Sequence, residues 1–153
     1  MTYTPPVPGL EPAFVVSVEL GPLEDHGSTR AGHRRVVPII GGTISGAFDG
    51  EILPGGADWQ LVRPDGAIEV DGRYTARAAD GSLVYLRVSG VRSGAPAILA
   101  GLLAGRDTDP ADYYFRTSVT IESASHPELE QYLYVASCVR EADRVRYVAY
   151  RVT

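Results

Sequence analysis

The chain has 153 residues, a formal net charge of −5 and 44% hydrophobic residues. This suits a single folded domain with one modest core and argues against a disordered chain. The acidic balance argues against nucleic acid as a partner, which calls for a basic face.

The first twelve residues, MTYTPPVPGLEP, are rich in proline and read as a flexible arm (1–12) ahead of one domain (13–153). They lack the charged and then apolar pattern of a signal peptide. No apolar run reaches membrane-spanning length, so a cytoplasmic protein is expected. Short β-type runs then alternate with turn clusters. The expected strands are Ala13–Leu20, Arg34–Ile40, Thr43–Phe48, Asp58–Arg63, Ala67–Ala79, Ser82–Val91, Tyr113–Glu122, Gln131–Arg140 and Arg144–Val152. Pro64-Asp65-Gly66 and Asp80-Gly81 are hairpin turns in this pattern, and Glu141–Asp143 closes the last hairpin. APAILAGLLAG interrupts the strands and predicts a short helix over 96–104, with Pro96 first and Gly105 as the stop. A second helical turn is expected from Ser125, which has capping-box spacing to Glu128. Such a series suggests an all-β antiparallel barrel or sandwich with one short helix. A barrel of about eight strands can enclose one small ligand.

Side chains alternate along a strand. In YYFRTSVTIES, Tyr114, Arg116, Ser118, Thr120 and Glu122 share one face, and Phe115, Thr117, Val119 and Ile121 share the other. The polar face meets either water or a ligand cavity. Along Ala67–Ala79, Glu69, Asp71, Arg73, Thr75 and Arg77 form a solvated face, so Tyr74 points inward. Tyr85 is ambiguous, and Tyr132, Tyr134, Ala136, Cys138 and Arg140 fall together. After the Gly55-Gly56 turn, Asp58 and Gln60 share one face, while Trp59, Leu61 and Arg63 share the other. Trp59 is expected at the cavity wall or mouth, or as a core anchor of the turn. Asp58 either moves a proton or caps its turn.

Familiar cofactor and nucleophile motifs are missing. There is no phosphate loop and no nucleophile elbow. All 14 cationic residues are arginine, so no lysine is present for a Schiff base. The lone Cys138 excludes an internal disulfide and reads as a small core residue. His26, His33 and His126 are widely separated, and no metal is expected.

GGTISG, LPGGADWQLVRPDG, DGRYTARAADGSLVYLRVSGVRSG, YYFRTSVTIES and the closing YVAYRV together resemble domain-of-unknown-function family 3237, over residues 12 to 152. The resemblance implies a small antiparallel barrel of calycin or lipocalin type with a central cavity. The family's polar positions fall on Asp58, Trp59, Gln60, Arg63, Tyr74, Arg92, Tyr114, Arg116 and Glu122. Members often resemble VGxGxR where this chain has VASCVR, so Ala136 and Cys138 add bulk near the barrel wall.

The resulting expectation is a cofactor-independent cyclase, isomerase or lyase acting on a small oxygenated metabolite, in secondary metabolism. Asp58 or Glu122 would transfer the proton. Arg116 and Tyr114 would hold an anionic oxygen, and Trp59, Gln60, Tyr74 and Tyr85 would complete the binding surface. The alternative is a non-catalytic small-molecule-binding barrel. The expected partner is a small molecule, with neither nucleic acid nor membrane, and a homo-oligomer is compatible with the sequence.

Overall fold

The computed structural model describes residues 1–153. Ten strands follow in order: β1 Leu10–Leu20, β2 Glu24–Thr29, β3 Gly32–Gly46, β4 Gly50–Ile52, β5 Ala57–Val62, β6 Ile68–Ala78, β7 Leu83–Gly94, β8 Tyr113–Ser123, β9 Tyr134–Arg140 and β10 Arg144–Val152. Helix α1, Pro96–Leu103, joins β7 to β8. Every pairing is antiparallel. Neighbours run β1-β10-β9-β8-β7-β6, then β4 and β5 share the place between β6 and β3, and β3 returns to β1. The result is a closed eight-stranded barrel. Closure removes the unpaired edges that an open sheet would carry.

The turns follow their residues. At Asp80-Gly81 the Asp80 carboxylate accepts the Ser82 N–H at 2.9 Å. At Pro64–Gly66 the Asp65 carboxylate accepts the Ala67 N–H at 3.0 Å. The expected helix is present, with Pro96 at its start. Several details differ from expectation. β1 already begins at Leu10, and two short strands, β2 and β4, occupy stretches whose glycines and charges read as turns. The segment after Ser125 is a 3-10 turn over Pro127–Gln131 with His126 at the N-cap position and no side-chain cap, and the Ser123 hydroxyl accepts the His126 N–H at 3.0 Å.

A further difference is at Gly41-Gly42, where a turn was expected. β3 runs through it and changes partners instead. Its first half pairs with β2 and β5, its second half with β1 and β4. Gly42 has φ +140°, and a Cβ there would lie 2.0 Å from the Ser17 carbonyl oxygen. Gly42→Ala therefore combines backbone strain with a clash against β1. We expect it to lower stability by about 3 kcal/mol, read as a lower urea midpoint. An unchanged midpoint would show that the strand crossing relaxes freely.

The interior divides into two halves. Around the starts of β1, β7 and β9 it is solid. Phe14 packs 6.2 Å from Phe48 and 5.5 Å from Tyr134, ring centre to ring centre, and Val16, Ala76, Val84 and Leu86 are fully buried beside them. The other half, under the β5–β6 and β9–β10 turns and α1, is hollow. Gly105, just past α1, lies against Ala142 of the β9–β10 turn, so the helix crosses that end.

Candidate functional site

The Gly55-Gly56 turn delivers β5 tightly onto β6. A Cβ on Gly56 would lie 2.4 Å from the Arg73 carbonyl oxygen. β5 then alternates as its sequence suggests, with Asp58 and Gln60 inward and Trp59 outward. The β5–β6 ladder pairs Asp58 with Gly72 and Leu61 with Glu69, leaving a gap between. Asp58 fills it: one carboxylate oxygen accepts the Asp71 N–H at 2.8 Å. The other accepts the Gln60 side-chain N–H at 2.8 Å. Gln60 in turn accepts from the Arg35 guanidinium at 3.2 Å. Arginine has only donors, so Gln60 must turn its carbonyl to Arg35 and its amine to Asp58. This chain favours an ionised Asp58. Burial opposes it and raises the Asp58 pKa above its ordinary 3.8, although its hydrogen bonds and the charge of Arg92 partly offset that effect.

The hollow half holds a small cavity of about 50 Å³ that opens to solvent. Its polar lining is Asp58, Gln60, Arg92, Arg140, Thr117 and the hydroxyls of Tyr74 and Tyr147. Tyr74 from β6 and Tyr147 from β10 hydrogen-bond to each other through their hydroxyls. Burial raises the pKa of both, so both stay neutral. One hydroxyl proton serves the pair, and the other is free to be donated. Arg92 lies over the Phe115 ring at 5.2 Å. It is 4% exposed and its Nε has no hydrogen-bond partner. Burial and the neighbouring Arg140 lower its pKa to about 10. Arg140 is held by the Glu141 and Arg144 carbonyl oxygens, to which its guanidinium donates. Burial pushes the Cys138 thiol up to about 12, which makes it a poor nucleophile at neutral pH.

Asp58, Gln60, Tyr74 and Arg92 thus meet in one cavity. The other expected site residues do not. Glu122, Arg116 and Tyr114 lie on the outside of β8, because Tyr113, Phe115, Thr117, Val119 and Ile121 take its inner face. Tyr114, Arg116 and Ser118 border an open hollow on the outer surface, separate from the barrel cavity. Tyr85 faces outward opposite Glu122. Trp59 is 39% exposed and borders a hollow on the outer surface with Arg34, Asp71 and Arg73. It neither lines the cavity nor anchors the core. Arg63 is also outside, paired with Asp65 at 3.1 Å. Glu122→Gln is accordingly expected to change stability by less than about 0.5 kcal/mol in thermal unfolding. A larger loss would place Glu122 in a structural contact.

Arg35 and Tyr147 were not singled out in the sequence, and Arg140 was placed on one face with Ala136 and Cys138 but given no role. Arg35 alternates with Val37 and Ile39 on the buried side of β3, and Arg140 with Cys138 and Ala136 on that of β9. An arginine in phase with core residues was the available signal. Ala136 and Cys138 are both buried on the inner face of β9.

The fold defines the class: a closed eight-stranded antiparallel barrel with one helix. More closely, the chain belongs to the family described as "Protein of unknown function (DUF3237)", whose model matches residues 8–152. A UPF0311 protein of Bradyrhizobium diazoefficiens is 39% identical over 134 residues, covering 86% of this chain and 88% of its own. A conserved protein of unknown function from Rhodopseudomonas palustris has a similar structure, with TM-score 0.91 and 34% identity over 98% of this chain and 100% of its own. A barrel-like protein from Acinetobacter baumannii superposes with TM-score 0.85 at 39% identity, over 99% and 100% of the two chains. More distantly, a protein described as an enzyme from Penicillium herquei shares the fold at TM-score 0.71 and 19% identity, with both chains covered completely. No helix here is long and apolar enough to cross a membrane.

Proposed function

We propose that this barrel is a cofactor-independent enzyme that moves a proton on a small oxygenated metabolite, as a cyclase, isomerase or lyase does. The observation that carries this is a half-buried carboxylate, Asp58, sharing one cavity with an unpaired guanidinium, Arg92. A carboxylate of raised pKa is a stronger base toward a C–H next to a carbonyl. The enolate oxygen that forms needs donors already in place, and Arg92 and the free hydroxyl proton of the Tyr74–Tyr147 pair supply them. The proton returned to another atom gives isomerisation; loss of a leaving group gives elimination; attack on a second carbonyl closes a ring. The description of the Penicillium herquei relative as an enzyme supports catalysis on this fold.

Solvent-deuterium exchange tests this directly. The protein is incubated in D2O with a panel of 1,3-diketones and 2-keto acids, and loss of the α-proton signal is followed by NMR. Exchange above the buffer rate is expected for at least one member. A folded protein that exchanges none supports the second reading, a non-catalytic binding barrel. The two hydrogen bonds that already occupy Asp58 favour that alternative.

A further inference from the structure

We propose that the cavity is a carboxylate-recognition site, taking a small organic anion with an apolar, ring-sized body. This rests on the reading of the barrel interior as the working site, and it names the class of molecule that site takes. Arg35, Arg92 and Arg140 come from β3, β7 and β9 and converge on one end of the barrel. None of the chain's ion pairs involves any of them. Asp58 is the only acid among the cavity-lining residues. Arg92 and Arg140 line the cavity and Arg35 stands behind Gln60, so three guanidiniums against one carboxylate leave this end of the barrel positive, inside a chain of net charge −5.

Such an arrangement is costly. Buried cations are ordinarily paired, and each added cation makes the next harder to hold, as the effect of Arg140 on Arg92 shows. Two of the three have Nε atoms with no partner in the protein. Arg92 is anchored by its ring contact with Phe115 and not by an acid. A guanidinium fork fits a planar carboxylate through two parallel hydrogen bonds. The apolar lining sets the rest of the ligand. Val18, Leu20, Val37, Ile39, Val70 and Val88 offer an apolar surface and no further donors. A compact carbocyclic or aromatic carboxylate satisfies both the guanidiniums and the apolar lining.

The test is equilibrium binding, which needs no turnover. Benzoate is titrated into the intact protein by calorimetry, with benzamide as the neutral isostere and inorganic phosphate at matched ionic strength. Benzoate is expected to bind at least about tenfold more tightly than either, since one good charge-assisted contact is worth about that much. Arg92→Met should remove at least about tenfold of the benzoate affinity, with the fold checked by circular dichroism. If Arg92→Met does not fold, Arg140→Met provides the same comparison. Equal binding of benzoate and benzamide overturns the proposal, and so does phosphate binding as tightly as benzoate. Benzoate binding without deuterium exchange on any ketone sinks the enzyme and keeps the carboxylate site. Exchange on neutral diketones with no benzoate binding does the reverse.

Discussion

Asp58→Asn should fold and lose about 10²–10⁴-fold in the exchange or turnover rate, the usual worth of a positioned acid–base group. Asparagine keeps one oxygen for the Asp71 N–H. It places an amine against the Gln60 amine, so either that contact or the Gln60–Arg35 contact is lost. One hydrogen bond costs about 1 kcal/mol, a small drop in melting temperature beside a large drop in rate. The wild-type pH profile should carry the same signature. A base works when ionised, so the rate falls as pH drops through the Asp58 pKa. Burial has raised that value, so this limb lies above the 3.8 of an ordinary aspartate. The limb should vanish in Asp58→Asn. A variant within a few-fold of wild type would show that Asp58 only bridges the gap between β5 and β6.

The second large effect has the opposite sign for stability. Arg92→Met is expected to melt higher than the wild type while losing ligand. Lowering an arginine from 12.5 to about 10 corresponds to a burial cost of about 3 kcal/mol at neutral pH. Methionine has a similar reach and no charge to desolvate. The contact with the Phe115 ring is lost, at about 0.5–2 kcal/mol. The net gain is about 1–2 kcal/mol, or roughly 3–6 °C for a domain of this size. Differential scanning calorimetry without ligand decides it. A fall of similar size would mean that Arg92 holds the barrel together, and its charge would then have a structural use.

The barrel and the Asp58 site were legible for the same reason: both rest on period-two alternation with a fixed starting point. The Gly55-Gly56 turn sets where β5 begins, and alternation then sends Asp58 and Gln60 to one side. Tyr74 was legible because its alternate neighbours Arg73 and Thr75 belong to a charged face. β8 misled because alternation separates its two faces without saying which is inside. Choosing the polar face for the cavity assumed that a ligand site must be mostly polar. The interior is mostly apolar, and its few polar groups come singly from different strands. Arg35, Arg92 and Arg140 lie far apart in sequence, so only barrel closure brings their charges together. The Tyr74–Tyr147 contact has the same origin, joining strands 73 residues apart.

One strand stays outside the closed ring. β2 pairs with β3 alone, and its other side has no neighbour. A bare row of amides and carbonyls invites a second molecule to add its own strand, the first step toward fibres. β2 answers this with brevity and charge. It has six residues, begins Glu24-Asp25-His26, and follows Pro22. Two copies meeting edge to edge would bring those carboxylates together. Charge on this short edge thus disfavours strand addition there.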